Sequence, residues 1–432
     1  MNNLKVRLGA LGFLEFAVWG AYLVSLGMFL NSVGLGEYTF WFYTVQGLVS
    51  LFMPGLIGVL ADRFIPAQKM LSICHLLAGG FMIAAGWYAM DAGTDIQFAP
   101  LFTLYTLSVA FYMPTIGLNN SVAFNALTKA GLDTVKAFPP IRVFGTVGFI
   151  AAELMVNFLA VGSNLTIQHT YEQLFASGIL SLILAAYALT MPDCGISKGK
   201  KGSLADSLGL TAFKLFKRRD MAIFFIFSML LGVSLQITNS YGTMFIEHFS
   251  NVDQFADCFF SQNPTFLISL SQCSEALCIL LIPFCLRRFG IKGVMLIAMF
   301  AWVLRFGFFG IGDTSLSGVW LLILSCIVYG VAFDFFNVSG GLYVDKQTTP
   351  ELRSSAQGLF MIMTNGIGAS LGTFIAGTFI VNKQVFAKGL TAVQQLEGWR
   401  YSWLVFAAYA LVVAVLFFLI FKEKKQHNEV AA

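Results

Sequence analysis

Apolar residues run through this chain in stretches of twenty or more, separated by short clusters of charged residues, Gly, Pro and Asn. A helix crosses a bilayer with about 20 mostly apolar residues. The pattern predicts twelve such spans, at 8–31, 40–61, 69–90, 98–123, 140–161, 170–191, 221–247, 263–286, 291–312, 316–344, 354–381 and 399–421. The longest polar interval, 192–220, falls between spans six and seven. Within it Leu204, Leu208, Ala212 and Leu215 recur at helical spacing, which predicts a short interfacial helix over Ser203–Phe216. The chain therefore divides into a six-helix half at 1–191, a linker at 192–220, a second six-helix half at 221–421 and a tail at 422–432. A weak repeat supports the division: Gly58-Val-Leu-Ala-Asp62-Arg63-Phe64 joins spans two and three, and Pro283-Phe-Cys-Leu-Arg287-Arg288-Phe289 joins spans eight and nine.

Composition agrees. Hydrophobic residues make up 57% of the 432 and charged ones 11%, against about a quarter charged in soluble domains. A soluble enzyme, a disulfide scaffold and a disordered chain are excluded. The net charge of +4 is too small to point to nucleic acid. The seven cysteines lie mostly inside apolar runs without CxxC spacing and the four histidines are scattered, so no metal or other cofactor is expected. Lys5 and Arg7 precede an apolar run too long for a cleaved signal peptide, which reads as a retained first span.

Placement of positive charge gives orientation. With the N-terminus inside, 21 of the 26 Lys and Arg fall in inner segments. Only Lys383, Lys388 and Arg400 fall outside, and Arg142 and Arg305 lie within spans. Both ends are expected in the cytoplasm.

Ionisable groups inside a span are costly unless they face water or partners. Arg142, Thr146, Phe149 and Glu153 share one face of span five, a stripe expected to look into a water-filled cavity. The competing reading has Arg142 snorkelling to the surface. Gln236 and Asn239 in span seven, and Gln272 and Glu275 in span eight, pair at i, i+3; amides suit a ligand with mixed donor and acceptor edges, or hydrogen bonds between helices. Tyr329, Phe333 and Asp334 in span ten, followed by Asn337, combine aromatic faces with a buried carboxyl, fit for a flat polar ring. The alternative there is an Asp334–Arg305 salt bridge within a packed core. Glu15 in span one is a weaker candidate, and Glu247 is expected at the outer surface.

Two six-helix halves with basic inner turns resemble the major facilitator superfamily. Gly58, Asp62 and Arg63 resemble its loop motif, with Ile65-Pro66-Ala67-Gln68 replacing the usual glycine and basic residues. More specifically, Phe138-Pro-Pro-Ile-Arg142-Val-Phe-Gly-Thr146-Val-Gly-Phe149, Phe224 through Gln236-Ile-Thr-Asn239, Ser271-Gln272-Cys-Ser-Glu275 and Tyr329-Gly-Val-Ala-Phe333-Asp334-Phe-Phe-Asn337 resemble the bacterial nucleoside:proton symporters of that superfamily. The resemblance runs from Trp19-Gly20 to span twelve. It implies a nucleoside held between the halves, with Arg142, Thr146 and Phe149 on one side. Gln236, Asn239, Gln272, Glu275, Tyr329, Phe333 and Asp334 would form the other. It also implies a monomer and a gating role for Gly58, Asp62 and Arg63. Glu15 stands where the family's well-known permeases carry Gln, and segment 250–264 is its own.

The sequence thus predicts an all-α membrane protein of twelve helices, a nucleoside importer of the bacterial inner membrane driven by protons through alternating access. Asp334, Glu275 and Glu15 are its candidate proton carriers. A sugar or modified-nucleoside symporter is the nearest alternative. A membrane enzyme or sensor is remote, since no nucleophile-base pair or output domain is visible.

Overall fold

Inside a bilayer no water satisfies the peptide groups, so each apolar run closes its hydrogen bonds within itself as a helix. The computed structural model describes residues 2–162, 165–195 and 210–422. Span one is Asn2–Gly20 and then Leu26–Ser32; spans two to six are Thr39–Arg63, Ala67–Ala92, Phe98–Lys129, Thr134–Phe158 and Glu172–Ala188. Span seven is Arg219–His248. Spans eight and nine run from Pro264–Cys278 into Ile282–Ile311, ten is Val319–Gln347, eleven begins at Pro350–Met361, and twelve is Ala392–Ile420.

Four local features depart from a uniform set of rods. The first span, expected as one helix over 8–31, breaks between Gly20 and Leu26. There Tyr22 and Leu23 both donate to the Trp19 carbonyl, and Ser25 Oγ donates to Gln173 Oε1 at 2.9 Å. The 48-residue helical stretch Pro264–Ile311 is folded into spans eight and nine at Gly290, whose φ of 69° is open to glycine and strained for other residues. Span eleven is not a plain α-helix: Ile362–Gly368 and Ala376–Val381 are π-helical, with Ala369–Ile375 an α turn between them. Finally, a small hairpin pairs Ala160 with Thr166 and Val161 with Leu165 after span five.

The interfacial helix expected over Ser203–Phe216 needs correction. Its first part lies outside the described residues, and the described end, Leu210–Lys217, is a 3₁₀ helix. That segment packs against spans seven and eleven. Lys198, Lys200 and Lys201 also lie outside the described residues.

Each half has its own apolar core. Tyr22, Phe42, Tyr105 and Tyr112 centre one cluster of the first half. The second half packs around Trp302, Trp399 and Trp403, with Val24 and Phe40 of the first half joining from the seam. The halves meet where span two faces span eleven and span five faces span eight.

Polar links across that seam gather at the end remote from the start of span one, here called the far end. Asn157 Nδ2 donates to Asn263 Oδ1 (2.9 Å) and Phe266 N–H to Asn157 Oδ1 (3.1 Å). Thr243 Oγ1 donates to the Val24 carbonyl, Asn382 Nδ2 to the Glu37 carbonyl (2.9 Å), and His169 Nδ1 meets Glu247 Oε1 at 2.9 Å. Glu247 is therefore at the far end, half-buried by that contact. Toward the opposite, terminal end, span two touches span eleven along Ile362–Val381, while Pro350–Met361 packs instead on span ten and Leu210–Lys217. The halves are clasped at the far end and part toward the terminal end, leaving a cleft.

Candidate functional site

Span five forms one wall of the cleft, and close packing on span one holds it. A Cβ on Gly148 would fall 2.1 Å from the Phe13 carbonyl oxygen, so only glycine lets the two backbones approach this far. Arg142 is exposed to the cleft, Thr146 half-buried and Phe149 buried. The Arg142 guanidinium lies 4.2 Å over the Phe16 ring, a cation–π contact. Trp19 packs edge-on to Phe149 at 6.1 Å. Arg142 is thus seated against an aromatic of span one, which replaces the snorkelling alternative. Phe16 and Trp19 are residues the sequence reading missed; their signal was a three-residue spacing on the same face as Gly12 and Gly20.

Spans seven, eight and ten form the opposite wall. Asn239 Nδ2 donates to Gln236 Oε1 (3.1 Å) and Gln236 Nε2 to Gln46 Oε1 (3.2 Å), while Gln46 Nε2 donates to Tyr105 OH (2.5 Å). These amides form a relay from span seven across to spans two and four, through Gln46, which no sequence pattern marked. On span ten, Tyr329 and Phe333 are stacked at 5.6 Å with 14° between their planes. Gly330 allows this wall to form: a Cβ there would sit 2.6 Å from the Ser274 carbonyl. The two helices abut beside Glu275, and Ser274 Oγ donates to the Ile327 carbonyl.

Two acceptor atoms of this wall are buried without a hydrogen-bond partner among the described residues, Asp334 Oδ2 and Gln272 Oε1. A buried polar atom left unpaired costs about 1–3 kcal/mol, so such a pair marks a place where donors arrive. Arg142 acts electrostatically on both Glu275 and Asp334 from the facing wall, and those carboxyls act on each other. One cation therefore faces two acids across the cleft, with an aromatic pair beside them.

The proposed Asp334–Arg305 salt bridge is not formed. Arg305 is fully buried behind the wall, and its guanidinium donates to Thr238 Oγ1 (3.3 Å), Ser271 Oγ (3.3 Å) and the Ser325 carbonyl (2.9 Å). It lies 4.3 Å over the Tyr329 ring, a cation–π contact. Arg305 supports Tyr329 and leaves Asp334 free for the cleft.

Glu15 is in a different environment. It lies inside the first half, where its two oxygens meet His75 Nε2 (2.9 Å) and Thr115 Oγ1 (2.6 Å), and His75 Nδ1 meets Ser181 Oγ (2.9 Å). The network ties spans one, three, four and six together. Gly58, Asp62 and Arg63 end span two at the terminal end, where Arg63 is exposed and only the backbone of Asp62 is described. Next to them Gln68 Nε2 donates to Asp193 Oδ1 (2.6 Å), and this bond with the Gly195 N–H holds the Asp193 carboxyl below its ordinary value. Lys129 Nζ donates to the Asp193 carbonyl at 2.5 Å. Gln68, a departure from the superfamily loop pattern, is thus a structural clamp on the end of span six. Among the described residues no group of three or more His, Cys, Asp and Glu side chains could hold a metal ion.

Comparison with known proteins adds chemistry to this geometry. The family model described as "Nucleoside H+ symporter" matches residues 1–426. The chain is 44% identical to the xanthosine permease of Escherichia coli (strain K12) over 436 residues, covering 99% of each. It is 41% identical over 425 residues to the nucleoside permease NupG of the same organism, covering 98% of this chain and 97% of that one. Superposed on the crystal structure of a mutant of the nucleoside transporter NupG, it gives a TM-score of 0.89 at 40% identity, over 97% of this chain and all of the other.

Proposed function

The chain belongs to the nucleoside H+ symporter family, as a transporter of the major facilitator fold, and from that premise we propose how its own residues carry a nucleoside and a proton. The nucleoside sits in the cleft between the halves. Tyr329 and Phe333 offer an aromatic face to the base. Asp334 Oδ2 and Gln272 Oε1 accept from its N–H or ribose hydroxyl groups, and Gln236 and Asn239 read its mixed edges. Arg142, Thr146 and Phe149 close the site from the first half. The observation that carries this reading is the pair of buried acceptors without partners beside the stacked rings.

Protons enter through Glu275 and Asp334. Two acids facing one arginine in a low-dielectric cleft cannot both stay ionised at low cost, so one takes a proton when the far side supplies it. Substrate then binds in a cleft whose one remaining carboxylate is balanced by Arg142. The halves, 1–191 and 221–421, rock about the midplane, joined by the 192–220 linker and followed by the 422–432 tail. The terminal end carries the excess of Lys and Arg and is cytoplasmic by the charge bias, so the clasped far end faces outward and this conformation opens inward. The protein works as a monomer in a bacterial inner membrane.

The test is uptake of labelled uridine, adenosine and xanthosine into transport-deficient cells expressing this chain, with and without a protonophore. Protonophore-sensitive accumulation of any of them supports the reading, and competition among the three ranks the substrates. No uptake of any, with the protein shown to be in the membrane, would refute a nucleoside substrate.

A further inference from the structure

The face of span five that begins at Arg142 does not end in the cleft. Followed toward the far end through Thr146 and Phe149, it reaches Glu153 and Asn157, each about one further turn along. Exposure falls steadily along it, from an exposed Arg142 to a fully buried Glu153 and Asn157. Asn157 is the residue clasped to Asn263 and the Phe266 amide on span eight. Glu153 therefore lies in the closed seam between the substrate cleft and the clasp. Neither of its carboxyl oxygens has a hydrogen-bond partner among the described residues.

Among the described residues no cation pairs with it: Arg305, which acts on the same Cys326 and Tyr329, is spent on Thr238, Ser271 and the Ser325 carbonyl. Toward span one, neighbouring residues of span five pack on Ala17 and Ala21. The titratable groups it acts on electrostatically are Glu275 and Cys273 of span eight and Cys326 and Tyr329 of span ten. On its own helix the nearer cation is Arg142, three turns away and turned to the cleft, with Lys136 almost two turns farther. An ionised carboxylate closed into this seam would lose its hydration, gain no hydrogen bond and face Glu275, which disfavours the charged form.

We propose that Glu153 is a proton-binding latch: the seam between spans five and eight closes over it only when its carboxyl holds a proton. When the far end parts, the carboxyl meets the far-side solution and releases its proton as hydronium; when the far end closes, the carboxylate takes one up again. The proton leaves to and returns from the same side. The latch thus sets the pH dependence of far-end closure and is separate from the proton carried with substrate at Glu275 and Asp334. It rests on the symporter reading only in assuming that the two halves alternate.

The full-length protein in proteoliposomes tests this with two readouts. The first is counterflow of labelled uridine against far-side pH. A single titrating proton can change an equilibrium by up to about tenfold per pH unit. Wild type is expected to lose counterflow as the far-side pH rises from about 6 to about 8.5, by at least about tenfold, and Glu153→Gln to lose at least about threefold less, the response it keeps being that of Glu275 and Asp334. Glu153→Leu should behave as Glu153→Gln does, because neutrality and not hydrogen bonding is what the seam requires, while Glu153→Asp should keep a pH response. The second readout is amide hydrogen exchange of residues 265–269, where Phe266 N–H reports the clasp, compared between proteins at the same pH. At high pH these amides should exchange at least about threefold faster in wild type than in Glu153→Gln. Superimposable pH profiles and exchange rates for wild type and both neutral variants would overturn the proposal. Absence of counterflow in wild type would refute uridine as substrate, and the exchange comparison would still decide the latch.

Discussion

Two buried carboxyls, Glu15 in the first half and Asp334 in the second, show how the same group serves two ends. Glu15 spends both oxygens on His75 and Thr115, and His75 is held in turn by Ser181, so four helices are tied into one body. Asp334 is nearly as buried, yet its Oδ2 has no partner among the described residues, and the arginine nearest in sequence logic, Arg305, is turned away beneath Tyr329. A satisfied acid holds the structure in place. An unsatisfied one beside a cleft is ready for a ligand or a proton. At the cleft itself the first half thus brings a rigid wall with one cation and the second brings the two acids of the symport step, while Glu153 of the first half lies apart in the seam.

Variants can break that contrast, and the largest effect is expected at Asp334. Asp334→Asn keeps the shape and removes the titration, so protonophore-sensitive accumulation should fall to the level of cells lacking the protein; uphill uptake at the wild-type rate would end its coupling role. Arg142→Ala should weaken substrate affinity by about 10- to 100-fold, the worth of a charge-assisted hydrogen bond of about 1.5–3 kcal/mol. Counterflow measured over a range of substrate concentrations reads this directly, and an unchanged half-saturation point would remove Arg142 from the site.

Glu15 should respond in the opposite manner. Removing one member of a buried pair costs about 3–5 kcal/mol, so Glu15→Ala should lower the melting temperature of the detergent-purified protein by several degrees. Uptake per folded molecule should change little. Glu15→Gln, which keeps an acceptor for Thr115, should melt between the two. If Glu15→Gln instead abolished proton-driven uptake at normal stability, Glu15 would join the proton carriers and the contrast with Asp334 would collapse.

The smallest effect belongs to Gln68. Its bond holds the Asp193 carboxyl below its ordinary value, so it stabilises the folded state above the ordinary carboxyl range and loses that contribution as the pH falls through the depressed value. Gln68→Ala should therefore melt slightly below wild type near neutrality. The gap should close on acidification; a gap that persisted in acid would mean the lost contact is packing and not charge.

The spans and the polar residues set within them were legible in the sequence because membrane cost acts on each segment independently of its partners. Arg142, Gln236, Glu275 and Asp334 stand out against apolar neighbours wherever the chain later carries them. What escaped depends on partners distant in sequence. Gln46 belongs to the relay only because Gln236 lies against it, 190 positions away. His75, one of four histidines read as scattered, becomes part of a network only through Glu15 and Ser181. Glu153 was read on the polar face of span five, yet helical spacing could not show that this face passes from open cleft into closed seam. The break in span one was hidden because Ala21 to Ser25 is as apolar as the helix on either side.

Span eleven carries a further consequence. Its two π-helical stretches, Ile362–Gly368 and Ala376–Val381, lie where it touches span two. Each wide turn holds one residue more than an α turn needs. Tightening one of them by that residue would turn the helix beyond it by about 100° and shift it by about 1.5 Å along its axis. Span eleven is thereby geared like a screw: a change of register within one helix can present a new side of it to span two without sliding the whole helix through the bilayer.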